Sequence, residues 1–365
     1  MNKSVFKRIG KEQNVSGSFA NIALAIAMAV VVSVIFILAL GENPITVFAY
    51  IFRGAFRNRS SVLEILAKAT PIIAIGLGIS VAAATGMTNL GGDGQFYVGA
   101  ISAALVGIYL DAPVIVVWLV ALIVAILAGG LWGGFAGFLK ATLDTSEVIV
   151  AIMMNYIALF LIGYLVSNPF QAPGGIPQTR AIPQNMQLPK LLQGSRAHWG
   201  IVFVALLAVV VQFVMSKTVF GFQLQTIGRS RKAAYYGGIS VKKLSIVSMF
   251  IAGSFAGLAG MIEVYGTYYR VLEGISSDFG FTAVMIAILA KYRPAGIIVG
   301  SLLISALTVG VNSMQISVNV PTSIVTVIQS VVVFSILVMP TIRSNLVSRR
   351  HLRKMSTSLS DTKEA

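Results

Sequence analysis

Asn89, Asp93 and Gln95 fall within the stretch Thr88-Asn-Leu-Gly-Gly-Asp-Gly-Gln95, where glycines separate an amide, a carboxyl group and a second amide. Side chains of these types, closely spaced, can exchange hydrogen bonds with a neutral polar solute. The stretch interrupts two apolar runs, Ile65–Ala84 and Phe96–Leu110, and the second is shorter than the roughly 20 residues a bilayer span needs. Irregular backbone is tolerated at membrane depth only where it lines a cavity or is buried in protein. The stretch is therefore expected to dip to that depth, with a helix starting near Phe96 and with Asn89, Asp93, Gln95 and Phe96 along a solute path. The carboxyl of Asp93 would need a cation or a helix end beside it, and the start of that helix is a candidate. The competing reading is a glycine-rich surface turn. Further polar groups interrupt apolar segments at Asn155 and Tyr156, within Val148–Val166, and at Gln329, within Pro321–Met339. An amide in hydrocarbon faces another helix or a watery path, so these residues either line the path or bond helices together.

The same inventory excludes most other chemistry. The chain has no cysteine, which removes disulfides, thiolate metal sites and cysteine nucleophiles. His198 and His351 lie in a loop and a tail, which argues against a histidine zinc or catalytic site. No Ser/His, His/Glu or paired-carboxylate arrangement stands at useful helical spacing. No catalytic residue, metal site or cofactor is expected.

The elements that carry these groups must be membrane helices. Of 365 residues, 56% are hydrophobic and only 11% charged, more apolar surface than a soluble core can use. The fold class is all-α and polytopic, with about ten transmembrane helices: Asn21–Leu40, Val62–Ala84, Phe96–Leu110, Pro113–Leu139, Glu147–Val166, Trp199–Met215, Leu244–Val264, Phe279–Ala290, Ala295–Val311 and Pro321–Met339. Residues 1–19 and 341–365 are basic tails flanking a transmembrane domain over 20–340. With both tails inside the cell, nineteen of the 27 Lys and Arg residues face the cytoplasm and seven the outside, Lys68 remaining in a span. That asymmetry, rather than nucleic-acid binding, accounts for the net charge of +15. The location expected is the plasma membrane.

The layout of Pro113–Leu139 and Glu147–Val166 is echoed by Pro294–Val311 and Pro321–Met339, consistent with two weakly related halves. Glycines at 129, 133 and 137, at 130 and 134, and at 253 and 257 make flat helix stripes suited to close packing. The external loop 168–198 carries five prolines, at 169, 173, 177, 183 and 189. Loops this long in compact bundles are functional or disordered; a docking surface and a passive excursion both fit.

Lys217–Lys243 is the longest internal loop. Within it, Ser230–Tyr236 suits a short helix, with Ser230 as cap and Gly237-Gly238 as stop. Small residues would let that helix bed against a partner, Tyr235 and Tyr236 could anchor it, and Arg229, Arg231 and Lys232 would orient it toward an acidic surface. The plainer alternative is a loop whose basic residues merely follow the charge bias of the cytoplasmic side.

Two of these stretches carry a family resemblance. Asn89-Leu-Gly-Gly-Asp-Gly-Gln95 followed by Val98-Gly-Ala100 resembles the Asn-(Ile/Leu)-Gly-x-(Glu/Asp)-Gly-Gln motif of bacterial ABC-importer permeases of the branched-chain amino acid, ribose and nucleoside type, closest to the nucleoside branch. The loop 217–243 resembles the coupling helix of the same permeases, with Gly228, Ala233, Ala234, Gly237 and Ile239 at the motif positions. Asn155-Tyr156-Ile157-Ala158 is also similar to the family's text. The resemblance spans most of residues 60–340. It implies a non-catalytic permease subunit whose partners are a cytoplasmic ATPase seated on the coupling helix, a second permease subunit, identical or related, and an extracellular substrate-binding lipoprotein. Its implied substrates are nucleosides first, then ribose and simple sugars, then branched-chain amino acids. The run Leu90–Gln95 also resembles the signature loop of ABC ATPases, but the chain lacks a Gly-x-x-x-x-Gly-Lys-(Ser/Thr) loop, so ATP would be bound by the partner. A secondary transporter or channel fits less well, since it would be expected to place a charge in mid-helix.

Overall fold

The structure, a computed structural model, describes residues 43–318 and isolated positions between 31 and 41. Eleven helices run through the described residues in chain order: α1 (Pro44–Phe56), α2 (Arg59–Ala84), α3 (Gly92–Tyr109), α4 (Val114–Leu143), α5 (Glu147–Ser167), α6 (Gly200–Lys217), α7 (Val219–Arg229), α8 (Arg231–Tyr236), α9 (Val241–Glu263), α10 (Phe279–Leu289) and α11 (Pro294–Val318). No β-strand occurs among the described residues, only isolated bridges. Six of the helices are long and apolar enough to cross a membrane: α2, α4, α5, α6, α9 (with the turn that extends it) and α11. The expected spans Asn21–Leu40 and Pro321–Met339 lie largely or wholly outside the described residues.

Two compact units divide the chain, one of Ala55–Val309 and one combining residues 1–54 with 310–365. In the second unit, Gly54 lies against Ser313, and Gly310 lies against the carbonyl of Ile51, so both glycines serve as close-approach points. Helix α1 was not anticipated: Asn43 Oδ1 accepts from the Ile45 amide at 3.0 Å and so starts a helix where a plain external segment was expected.

Within Ala55–Val309 the core forms around α2 and α9. Along α2, Ile65 through Ala82 are almost all buried; along α9 the run Ala252–Glu263 is buried except for Phe255. The helices α4, α5 and α6 bury only a stripe each and expose Leu, Ile and Phe elsewhere, as helices facing lipid do. The glycine stripes join α4 to α9. A Cβ on Gly129 would strike the Gly253 carbonyl, one on Gly253 would strike the Gly129 carbonyl, and one on Gly257 would strike the Ala125 carbonyl. Backbones touch there because no side chain intervenes.

Two further segments differ from the sequence expectation. Helix α3 begins at Gly92, not near Phe96, so Asp93, Gly94 and Gln95 form its first turn; only Thr88–Gly91 is non-helical. The early start is possible because Gly92 packs against Gly280 with no side chain between them and because Asn155 on α5 meets the Gly94 amide of the turn. Residues 217–243 hold two helices rather than a loop with one, since Thr218 Oγ1 accepts from the Gly221 amide at 3.2 Å and caps α7. The expected α8 is present with its Ser230 cap, Ala233 N donating to Ser230 Oγ at 3.2 Å, and Gly238 at φ +77° behind it.

The 168–198 segment is pinned along its length. Thr179 N donates to the Val271 carbonyl (2.9 Å), Ile182 N to Tyr269 (2.8 Å) and Leu188 N to Tyr265 (2.9 Å), while Trp118 Nε1 donates to the Met186 carbonyl (2.7 Å). Its own Ile182, Met186 and His198 are buried, so its prolines stiffen a packed segment rather than a free excursion.

Candidate functional site

After α2, Thr85–Gly91 turns the chain back and delivers Gly92 to the first turn of α10. There the N-terminal turns of α3 and α10 meet: Gly92 and Gly280 are in backbone contact, and Phe96 stacks edge-on against Phe279 at 6.0 Å between ring centroids. A helix start leaves amides without internal partners. Those of α10 are met by Asp93, which is 7% exposed. Its Oδ1 accepts from Gly280 N at 2.8 Å and from the Ser276 hydroxyl, and its Oδ2 accepts from Phe281 N at 3.3 Å. The helix end expected as a partner for Asp93 is therefore that of α10, supplied from another part of the chain, and not that of its own helix.

The first turn of α3 is met by neutral groups. Asn155 Oδ1, on α5, accepts from Gly94 N at 2.8 Å, and Asn155 Nδ2 donates to the Leu90 carbonyl at 2.8 Å. Asn89 and Gln95 bond reciprocally, Asn89 Nδ2 to Gln95 Oε1 at 2.9 Å and Gln95 Nε2 to Asn89 Oδ1 at 3.0 Å, and Asn89 Oδ1 also accepts from Gly91 N. These buried amides are satisfied, as burial of polar groups requires.

Beside this junction opens a cavity of about 340 Å³. Asp93, Asn155, Tyr156, Ser276, Ser277 and Asp278 supply its polar wall, and Tyr97, Ile152, Leu159 and Phe281 its apolar one. Ser277 and Asp278 both take left-handed backbone, φ +45° and +59°, turning the chain so that the Ser276 hydroxyl and the Gly280 amide converge on Asp93. Asp278 and Tyr156 are exposed on the chain, at the mouth of the cavity.

Of the residues picked from the sequence for the path, Asp93, Asn155 and Tyr156 line this cavity. Asn89 and Gln95 stand behind it as bracing. Phe96 is fully buried in the core. Gln329 lies outside the described residues. Ser276, Ser277 and Asp278 were not anticipated; the available signal was their small polar run ahead of Phe279, the same kind of interruption as Thr88–Gln95.

A second surface lies on α8 and the start of α9. Tyr235 is 72% and Tyr236 86% exposed, and with Arg231, Lys232, Lys242 and Lys243 they rim a groove of about 790 Å³. Ile239 lines the same groove, and Gly237 terminates α8. Ala234, by contrast, is fully buried and Gly228 abuts the Ala84 carbonyl, so these two pack within the chain. Arg229 and Ala233 are exposed. Arg231 Nη2 lies 3.7 Å from Met87 Sδ, which ties α8 to the turn that leads into Asn89.

A polar cavity at the junction of two helix starts, inside a bundle with six apolar membrane-length helices, is the architecture of a multi-span membrane transport protein. The chain belongs to the family described as branched-chain amino acid transport system / permease component, whose profile matches residues 61–339. It is 34% identical over 314 residues to the guanosine ABC transporter permease protein NupP of Bacillus subtilis, covering 85% of this chain and 90% of that one. It is 31% identical over 326 residues to the nucleoside ABC transporter permease protein NupB of Lactococcus lactis, covering 86% and 89%. A glucose ABC transporter permease protein of Haloferax volcanii, TsgB13, is 27% identical over 321 residues, covering 85% and 84%.

Proposed function

We propose that this chain is the permease subunit of an ATP-driven importer in the plasma membrane, forming the path for nucleosides. The observation that carries the reading is the cavity at the α3–α10 junction, which offers acceptors, hydroxyls and aromatic rings to a polar solute in an otherwise apolar bundle. The likeness to NupP and NupB supports nucleosides over sugars and branched-chain amino acids.

In this reading the chain needs no cofactor and catalyses no reaction. ATP is bound by a cytoplasmic ATPase that seats on the groove of α8, where exposed Tyr235 and Tyr236 anchor it and four basic residues orient it. A second permease subunit and an extracellular binding lipoprotein complete the importer, the latter meeting the pinned 168–198 segment. Ten spans with both termini inside, arranged as two halves, fit the order of elements. A long helix, a connector, a shorter helix and another long helix recur as α2–α3–α4 and as α9–α10–α11. Deleting this chain from its native cell and restoring it on a plasmid tests the function through uptake of labelled guanosine. Uptake that follows the chain and needs ATP is expected; uptake of labelled leucine, but not guanosine, following the chain would overturn the substrate assignment.

A further inference from the structure

We propose that Asp93 is a specificity-determining residue. By occupying the start of α10 it withholds from solutes the donors that would recognise a carboxylate or phosphate, and so restricts the path to uncharged, hydroxyl-bearing solutes. The inference rests on the permease reading and deepens it.

A helix start is a ready anion site, because its free amides and the helix dipole both favour negative groups. Discontinuous helices in transporters use such ends to hold anionic parts of their solutes. The start of α10 stands at the wall of the cavity, with 11 residues of helix behind it. Yet its amides of Gly280 and Phe281, together with the Ser276 hydroxyl, are already bonded to Asp93. The carboxyl is 7% exposed and wedged against Gly280, where no side chain could fit, so it is a built-in occupant of the position an anion would take.

The rest of the wall points the same way. Among the described residues lining the cavity there is no Lys, Arg or His to receive an anion elsewhere. Instead a second carboxyl, Asp278, stands exposed at the mouth beside Ser277. Carboxyl and hydroxyl oxygens accept from sugar hydroxyls, and Tyr97, Tyr156 and Phe281 offer ring faces to a planar base. A neutral nucleoside matches both sets of groups. A nucleotide or an amino acid brings an anionic group for which neither a cationic side chain nor a free helix-start amide is left in the wall.

The test uses the assembled importer, purified through a tag on this chain without its binding protein and reconstituted in nanodiscs. Binding of guanosine, ribose, leucine and guanosine 5′-monophosphate is measured by ligand-observed nuclear magnetic resonance. For the wild-type chain, guanosine and ribose are expected to bind at least about tenfold more tightly than leucine or the monophosphate, the factor that one missing charged hydrogen bond produces. Asp93→Ala should bring leucine and the monophosphate within about threefold of guanosine, since the donors are freed. Asp93→Asn, which keeps an acceptor in place, should stay selective. Equal binding of all four solutes by the wild type, binding of none, or unchanged selectivity in Asp93→Ala overturns the proposal. If Asp93→Ala does not assemble, Asp93→Ser vacates much of the same space, and the wild-type comparison decides by itself. Binding of ribose but not guanosine, with leucine and the monophosphate excluded, would leave the filter standing and remove the nucleoside assignment.

Discussion

At the start of α3 the buried amide of Gly94 is met by the neutral side chain of Asn155, whereas the amides at the start of α10 are met by the carboxyl of Asp93. Both helix starts abut one cavity, both are buried, and each is satisfied by a residue from elsewhere in the chain. They differ in reach. Asn155 also donates to the Leu90 carbonyl and so fixes the turn ahead of its helix, while Asp93 adds the Ser276 hydroxyl and fixes the turn ahead of α10. The comparison teaches that these side chains stabilise the turns first, and that the chemical character of the cavity follows from which type of group each turn received.

The largest effect should come from breaking the meeting itself. A side chain at Gly280 would collide with the Asp93 amide, so Gly280→Leu is expected to abolish monodisperse protein on size-exclusion chromatography, whereas Gly274→Ala, at an open position, serves as a control for expression. Gly274 has φ +78°, so alanine there carries a modest strain that the control must outlast.

Cutting one cap without steric conflict comes next. Asn155→Leu leaves the Gly94 amide and the Leu90 carbonyl unsatisfied and should cost about 2–4 kcal/mol in denaturant unfolding in detergent. Asp93→Asn keeps one acceptor oxygen for Gly280 N and loses the weaker contact with Phe281 N, so it should cost less, about 1–2 kcal/mol. If Asp93→Asn proves the more damaging, the ranking of the two caps is wrong.

A site away from the cavity gives a baseline. His198 is buried against Gly266, and Gly200 N donates to its Nδ1 at 3.1 Å. Burial lowers its pKa from 6.5 to about 4. The unfolded chain therefore takes up the proton first as pH falls, so this contribution is complete above about 6.5 and is lost progressively toward 4. The melting temperature of the wild type should drop over that window, and His198→Asn, which retains an acceptor, should drop less.

The smallest effect on stability belongs to Tyr235→Ala on the exposed groove, within about 0.5 kcal/mol. Co-purification of the ATPase should nevertheless fall markedly. Undiminished co-purification would detach α8 from coupling.

Much of this was legible in the amino-acid order. The runs of α2, α4, α5, α6 and α9 are long and apolar, so their existence follows from composition alone, and the spacing of Gly129, Gly133, Gly253 and Gly257 marked the faces that touch. The cap Ser230 and the stop at Gly237-Gly238 delimited α8 because capping is local. What escaped was set by distant partners. The start of α3 at Gly92 depends on Asn155, 61 residues from Gly94, and the role of Asp93 depends on Ser276, 183 residues away. Helices α1 and α7 were hidden for another reason. Each is short and amphipathic, a pattern that reads as loop when the search is for continuous apolar text.

The distance along the chain between Asp93 and Gly280, 187 residues, also sets a clock. Synthesis at about 5–20 residues per second separates the two by about 10–40 seconds. Throughout that interval Asp93 has been made and the helix start it caps has not, so the junction cannot close when α3 is first made. The cavity can form only after α9, the turn behind it and the start of α10 have been synthesised, which makes it one of the later parts of the bundle to be completed.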